Sequence, residues 1–283
     1  MSLRKNPVAV LGLGIIGSRV VERLTEAGWR VKSWNRTPKG GEGGCSTPEE
    51  AVSGASVISL FLKDVSAVRE VAGRLLPHLK PGQIVLNHST IDRETTLWLD
   101  AVISEKSGRF LDAPFTGSKD ASETGKLLYY LGGDAALIAE VTPFLEASSR
   151  MLLPCGAVGD ATVVKLAMNL VSACTVQALA EAVAISTRLG VEKDVFAAAA
   201  ANSAFASPLA ALKLPGMLAG NFEIFFSMAN MAKDSRYALA LADQAGLDVP
   251  AIRTVSERML GLCASGLADA DFSALVKPYL DEA

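Results

Sequence analysis

Short apolar runs alternate with amphipathic stretches through the first half of the chain. VAVLGL (8–13), ASVISLFL (55–62), QIVLNHS (83–89), RFLDAPF (109–115), LLYYLGG (127–133) and RMLLPCG (150–156) have the length of strands. Between several of them, residues 18–28, 65–79 and 136–148 repeat apolar side chains every three or four positions, the period of a helix with one buried face. WRVKSWNRT (29–37) reads as a further strand after the first helix. Near-continuous apolar strands interleaved with helices predict an α/β domain, a parallel sheet covered on both faces. After Gly159 the strand-like runs stop. Helical spacing takes over, broken by the turn signals LG (189–190), SP (207–208), LPG (214–216), AGN (219–221) and DVP (248–250). The change of pattern places a boundary near residues 156–160. It predicts two domains, 1–158 and 159–283, the second all-helical and opening with one long helix.

A chain of 283 residues, half of them apolar, is long for one core, which agrees with two domains. The net charge of −3 is spread without a basic block, so no nucleic-acid partner is expected. Cys45, Cys155, Cys174 and Cys263 lie too far apart for a metal knuckle or redox pair and read as free thiols of a cytoplasmic protein. His78 and His88 are the only histidines, too few for a histidine-rich metal site, and no metal is expected. Arg4 and Lys5 before VAVLGLGIIG superficially resemble a secretory leader, but the glycines and the amphipathic segment that follows argue against one. The run that starts at Gly159 is apolar enough to raise the question of a membrane span. Lys165, Asn169, Ser172, Gln177 and Glu181 interrupt it, so a helix buried between domains or subunits of a homodimer or homotetramer is the better reading.

Gly12-Leu13-Gly14-Ile15-Ile16-Gly17 follows the first predicted strand and opens the first predicted helix. In that context each glycine has its own role. Gly12 makes the tight turn, Gly14 admits a pyrophosphate to the backbone, and Gly17 lets the helix pack on the strand. The unpaired N–H groups at the helix start attract the anion. A tight turn with no ligand is the alternative. The strand that follows ends in Asn35, Arg36 and Thr37, with no Asp or Glu to hold ribose hydroxyls. An arginine there can pair with a 2′-phosphate, so NADPH is expected rather than NADH. A merely solvated Arg36 is the other possibility.

Ligands of open parallel sheets sit outside the carboxyl ends of the strands. Those ends are Leu62-Lys63, His88-Ser89-Thr90 and Thr116-Gly117-Ser118. Leu62 and Lys63 are candidate cofactor contacts, Thr90 a contact near the nicotinamide end, and Ser89 a substrate contact. The hydroxyls of Thr116 and Ser118 with the N–H groups around Gly117 suit a carboxylate, although an ordinary Gly/Ser-rich loop accounts for the same residues. Asp112 reads as a structural acid bonded to nearby backbone.

Lys165 is the one charged residue between Ala161 and Ala180, and Asn169 shares its helix face four positions on. Its stem can snorkel to solvent, or the ammonium can have a chemical role. Hydride transfer to a carbonyl needs a proton donor. Lysine can serve if its environment lowers its pKa from about 10.4 towards neutrality. Lys233 and Asp234 lie on a later predicted helix. Lys233 is a candidate for the closing wall of the site, or a surface lysine paired with a carboxylate.

GLGIIG (12–17), DAPFTGS (112–118), GAVGDATVVKLAMN (156–169) and AKD (232–234) together resemble the β-hydroxyacid dehydrogenase family over essentially the whole chain. The resemblance implies an N-terminal Rossmann-type doubly wound sheet, a long inter-domain helix and an all-helical C-terminal domain. It implies that Lys165 is the catalytic acid/base, that Asn169 is a substrate partner, and that Thr116, Gly117 and Ser118 hold the substrate carboxylate. It also implies that Thr90 and Lys233 lie beside cofactor and substrate. GSKDASETGKL is most similar to the glyoxylate/succinic semialdehyde reductase branch, whose NADPH use agrees with Arg36. Thr116 stands where the family mostly has Ser, Phe115 where a smaller residue is usual, Ala161 for Gly, and Asn87-His88 where an acid is common. The expected activity is NADPH-dependent reduction of a small carboxylated aldehyde or keto acid. The rivals are an imine reductase of the same architecture, which usually lacks the lysine, and a non-catalytic NADP-binding module.

Overall fold

The computed structural model describes residues 3–39, 41 and 43–281. The outermost ends of the two expected domains, residues 1–2 and 282–283, lie outside them. The chain forms two compact units, residues 1–165 and 166–283.

In the first unit, β1 (Val8–Leu11), β2 (Val31–Trp34), β3 (Val57–Leu60), β4 (Ile84–Asn87) and β5 (Arg109–Asp112) are parallel. Their order, β2-β1-β3-β4-β5, puts both crossover directions in one sheet. Alternate side chains of one strand enter different cores. Val8, Val10, Ile84 and Leu86 pack on one face, and Ala9, Leu11, Ile58 and Val85 on the other. That is why these strands read as unbroken apolar runs rather than as alternation. The first face is covered by α1 (Ile15–Glu26) through Val20 and Leu24. The second is covered by α2 (Pro48–Val52), α3 (Val65–Leu75) and α4 (Arg93–Ser104). On α3 the buried residues Val68, Val71, Ala72 and Leu75 fall at the i, i+3, i+4, i+7 positions of one helix face.

The five strands form the expected parallel sheet, and beyond β5 it gains antiparallel pairings. The strand β6 (Phe115–Thr116), the short helix α5 (Lys119–Glu123) and β7 (Leu127–Gly132) follow, and β7 runs antiparallel to both β5 and β6. Only 14 residues, 113–126, separate β5 from β7, and α5 spans five of them, so the chain turns back instead of crossing over. After α6 (Ala135–Leu145), β8 (Ser149–Gly156) adds parallel to β7.

The helix α7 (Asp160–Arg188) crosses the division between the units and by length and composition would pass as a membrane span. In the second unit its residues Ala173, Val176, Ala180 and Val183, spaced by three or four, enter a core with α8 (Lys193–Ala201), α9 (Pro208–Ala219), α10 (Met228–Gln244), α11 (Pro250–Leu262) and α12 (Lys277–Asp281). This burial accounts for one face of the apolar run, while Met168, Val171 and Ile185 on the same helix are exposed. A buried ion pair, Lys213 Nζ to Asp271 Oδ2 at 2.7 Å, also lies in this unit.

Candidate active site

The glycine loop joins β1 to α1. Gly12 has φ of +99°, and a Cβ there would meet the Phe61 carbonyl oxygen at 2.2 Å. A Cβ on Gly17 would meet the Gly12 oxygen at 2.0 Å, whereas one on Gly14 would meet nothing within 4 Å. Gly12 and Gly17 are therefore required by the fold itself, and Gly14 faces open space. At Gly14, α1 begins without a side-chain cap and without an acidic residue in its first turn. Open space above bare N–H groups at a positive helix end fits a pyrophosphate. Leu13 is buried, Ile16 partly buried, and Ile15 exposed beside the loop.

Asn35 has a function that spacing did not reveal. Its Oδ1 accepts the Leu13 N–H at 2.9 Å and its Nδ2 donates to the Thr37 carbonyl at 2.8 Å. It ties the end of β2 to the glycine loop, which leaves Arg36 and Thr37 as the exposed residues there. Arg36 lies 2.6 Å from Glu70 of α3.

At the other strand ends the hydroxyl of Ser89 is committed to the sheet. It accepts the Leu62 N–H at 2.8 Å and donates to the Leu60 carbonyl at 3.2 Å. Ser89 is buried and holds the β3 and β4 ends together, a structural role where a substrate contact was expected. Thr90, the next residue, is partly exposed, as is Leu62, and Lys63 is exposed. His88 is buried against Phe61 with ring centroids 4.4 Å apart. Its Nδ1 lies 2.7 Å from the Ala113 carbonyl, which only accepts, so Nδ1 carries the proton and Nε2 accepts from the Ser59 hydroxyl at 3.2 Å. Burial pushes the imidazole down to about 4, so it is neutral near pH 7. Phe115 packs against Phe61 and Tyr129 at 5.8 and 6.2 Å.

Thr116 is paired with Leu128 across β6 and β7 and is half-buried. Gly117 is exposed with φ of +145°, and a Cβ there would strike Leu127 at 2.7 Å. Ser118 caps α5, its Oγ accepting the Ala121 N–H at 3.3 Å. A hydroxyl that accepts in a cap keeps its own proton to donate elsewhere.

Asp112 bonds to backbone far away in sequence. It accepts from Gly159 N–H (3.2 Å), Thr162 N–H (2.8 Å) and the Thr162 hydroxyl (2.9 Å), and Thr162 Oγ1 lies 3.0 Å from Thr96 Oγ1. This network fixes the first turn of α7 to β5 and α4. Lys165 follows three residues later. Lys165 is buried, at 8 % exposure. Asn169, one turn on, is equally buried, and its Nδ2 donates to Asp234 Oδ2 on α10 at 2.7 Å. The other Asp234 oxygen lies 2.7 Å from Lys233 Nζ. Lys233 is thus a half-buried lysine, paired with a carboxylate that is itself 1 % exposed. Asp234 joins the asparagine to that lysine. AKD marks it in the sequence, but only the fold shows which side chain it serves.

The site can be set beside known proteins. Residues 7–159 match the model of the NAD binding domain of 6-phosphogluconate dehydrogenase, and residues 159–279 match that of the NAD-binding region of NADP-dependent 3-hydroxyisobutyrate dehydrogenase. The chain belongs to the β-hydroxyacid dehydrogenase family. It is 29% identical over 280 residues to glyoxylate/succinic semialdehyde reductase 1 of Arabidopsis thaliana, covering 95% of this chain and 97% of that one. It is also 29% identical to the mouse cytokine-like nuclear factor N-PAC, of which it spans only 51%. Among solved structures, 3-hydroxyisobutyrate dehydrogenase of Mycobacterium tuberculosis superposes with a TM-score of 0.88 at 24% identity, over 98% of this chain and 99% of that one. Membership of this β-hydroxyacid dehydrogenase family makes the protein an NAD(P)-dependent oxidoreductase acting on CH–OH groups.

Proposed function

We propose that this β-hydroxyacid dehydrogenase is an NADPH-dependent reductase of small aldehyde or keto acids such as glyoxylate and succinic semialdehyde, with Lys165 as the proton donor. The observation that carries the reading is the buried Lys165 and Asn169 pair, one turn apart at the start of α7, in a chain with a pyrophosphate cradle. The similarity to the Arabidopsis reductase supports the substrate class. Arg36, exposed at a β2 end that lacks an acid, supports NADPH.

Gly12 to Gly17 would hold the pyrophosphate, Arg36 and Thr37 the adenosine side, and Leu62, Lys63 and Thr90 the remaining cofactor contacts. The bound dinucleotide supplies a hydride to the carbonyl carbon. Lys165 gives a proton to the carbonyl oxygen. Asn169, bonded to Asp234, is a hydrogen-bond partner of the substrate, and Thr116, Gly117 and Ser118 donate to its carboxylate. Lys233 is a further candidate contact for cofactor or substrate, as the family resemblance implies. Positioning and proton transfer are what the chain itself contributes.

The same reading divides the chain at residues 158/159, where the two family matches meet. It also makes the protein a cytoplasmic homodimer or homotetramer; the exposed Met168, Val171 and Ile185 of α7 support a subunit contact. The deciding experiment replaces Lys165 by Ala and assays NADPH oxidation with glyoxylate, succinic semialdehyde and a cyclic imine. Turnover of the acids should fall by about 10²–10⁴-fold while NADPH binding is retained. A variant that keeps most of its turnover, or a wild type that prefers the imine, refutes the proposal.

A further inference from the structure

Glu70 stands on the exposed side of α3, off the buried stripe of Val68, Val71, Ala72 and Leu75. Its Oε2 lies 2.6 Å from Nη2 of Arg36. Both side chains are open to solvent, at 67% for Arg36 and 51% for Glu70. Arg36 is the residue after Asn35, and Asn35 is bonded to the glycine loop at Leu13. The Arg36–Glu70 pair therefore sits beside the proposed adenosine side of the dinucleotide cradle, entirely within the first unit. No acid ends β2, and among the described residues the carboxylate bonded to Arg36 is supplied from α3.

We propose that Glu70 is a specificity-determining residue that competes with the 2′-phosphate of NADPH for Arg36. The inference rests on the NADPH reading above. Nη2 of Arg36 is engaged with Glu70, so a 2′-phosphate that pairs with the guanidinium through two N–H groups competes with Glu70 for that nitrogen. The displaced carboxylate remains close to the phosphate and repels it through partly screened solvent. Release itself is inexpensive because an exposed pair is weak, and Arg74, which is bidentate to Glu49 at 2.7 and 2.9 Å, lies one turn further along the same helix. NADH has a hydroxyl in place of the phosphate and makes no claim on Arg36. Glu70 thus lowers the affinity for NADPH relative to NADH.

The test titrates NADPH and NADH separately into wild type, Glu70→Gln and Arg36→Ala by cofactor fluorescence at one ionic strength. Both positions are exposed, and melting curves verify folding. Glu70→Gln is expected to lower the Kd for NADPH about two- to fivefold, the scale of a surface ion pair, without lowering the Kd for NADH. Glu70→Lys should move NADPH further in the same direction. A Glu70→Gln variant that leaves NADPH unchanged, weakens it, or tightens both cofactors equally overturns the role of Glu70. If Arg36→Ala weakens both cofactors equally, the NADPH reading falls and this inference with it. If Arg36→Ala is selective for NADPH while Glu70→Gln does not tighten it, only the inference falls.

Discussion

Asp112 at the end of β5 accepts both the backbone N–H and the hydroxyl of Thr162, at 2.8 and 2.9 Å, one turn before Lys165. The bond spans 50 residues and joins the sheet to the start of the helix that carries the proposed acid. Thr162→Val keeps the shape and the backbone bond but removes the hydroxyl shared by Asp112 and Thr96. Both partners are buried, so the variant should lose about 1–3 kcal/mol of stability. Denaturant midpoints measure this. An unchanged midpoint would mean that the hydroxyl network does not hold α7 in place. Turnover should fall with little change in NADPH binding, because Lys165 loses its anchor and the glycine cradle does not.

The Asn169 amide donates to Asp234 at 2.7 Å, and neither residue is open to water. Asn169→Asp would place two carboxylates in contact, with Lys233 beside Asp234 and Lys165 one turn before position 169. One of the pair must then hold a proton, so its pKa in the folded state rises above the unfolded value. The folded variant binds more protons than the unfolded one over that window, so its stability should rise as the pH falls from about 7 towards the usual carboxylate range. Asn169→Ala, which brings no second charge, lacks this dependence. Melting temperatures of both variants across pH 4–8 (about that range) separate the two, and parallel curves would contradict the contact.

Much of this architecture was legible before the fold was seen, for reasons that differ by element. β1, β3, β4 and β5 are buried on both faces and therefore read as apolar runs. α4 did not stand out, because its inward side carries Thr95 and Thr96 beside Leu99 and Ile103, which breaks the apolar repeat. The reversal at β7 depends on a connection too short to cross over, and run lengths alone do not carry that information. The glycine cradle and Lys165 were visible because they break the local composition. The roles of Asn35 and Ser89 were not, since a polar residue at a strand end faces either the ligand or the neighbouring loop. Hydrogen bonds over 22 and 27 positions decide between those choices.

His88 gives the first unit a pH dependence of definite sign. Its unfolded pKa is 6.5, and burial lowers the folded value to about 4. Between these values the unfolded chain binds a proton that the folded chain refuses, so stability falls as pH drops from 6.5 to about 4 and levels off below. The span is worth on the order of 3 kcal/mol at about 1.4 kcal/mol per unit. Asp112 acts oppositely, because burial raises its carboxyl from 3.8 to about 6 and the folded state keeps that proton. Comparing wild type with His88→Gln cancels the Asp112 contribution. The variant should be less stable at neutral pH, where the neutral imidazole and its stacking on Phe61 are lost. The gap should then narrow by roughly 3 kcal/mol on acidification to pH 4. A gap that stays constant with pH would show that His88 titrates normally in the fold.

Lys213 looks like an ordinary helical lysine in the sequence, and its partner Asp271 is 58 residues away. In the second unit the two are 3% and 1% exposed. The ammonium lies 2.8 and 2.7 Å from the two carboxylate oxygens and 4.5 Å from the ring centre of Phe272. Asp271 also accepts the N–H groups of Phe225, Phe226 and Ser273, so it organises the segment between α9 and α10 and caps the turn at Phe272–Val276. Lys213→Met fits the apolar stem but strips the carboxylate of its counter-ion while leaving it buried. The expected loss is about 3–5 kcal/mol, the cost of an unpaired buried charge. Glu49→Gln, which breaks the exposed bidentate pair with Arg74, should cost under about 1 kcal/mol. Lys213→Met combined with Asp271→Asn should recover part of the first loss, because no bare charge remains. Urea unfolding of the three variants tests the ranking. If Lys213→Met costs no more than Glu49→Gln, the Asp271 carboxylate is not dry in solution and cannot be what holds these elements together.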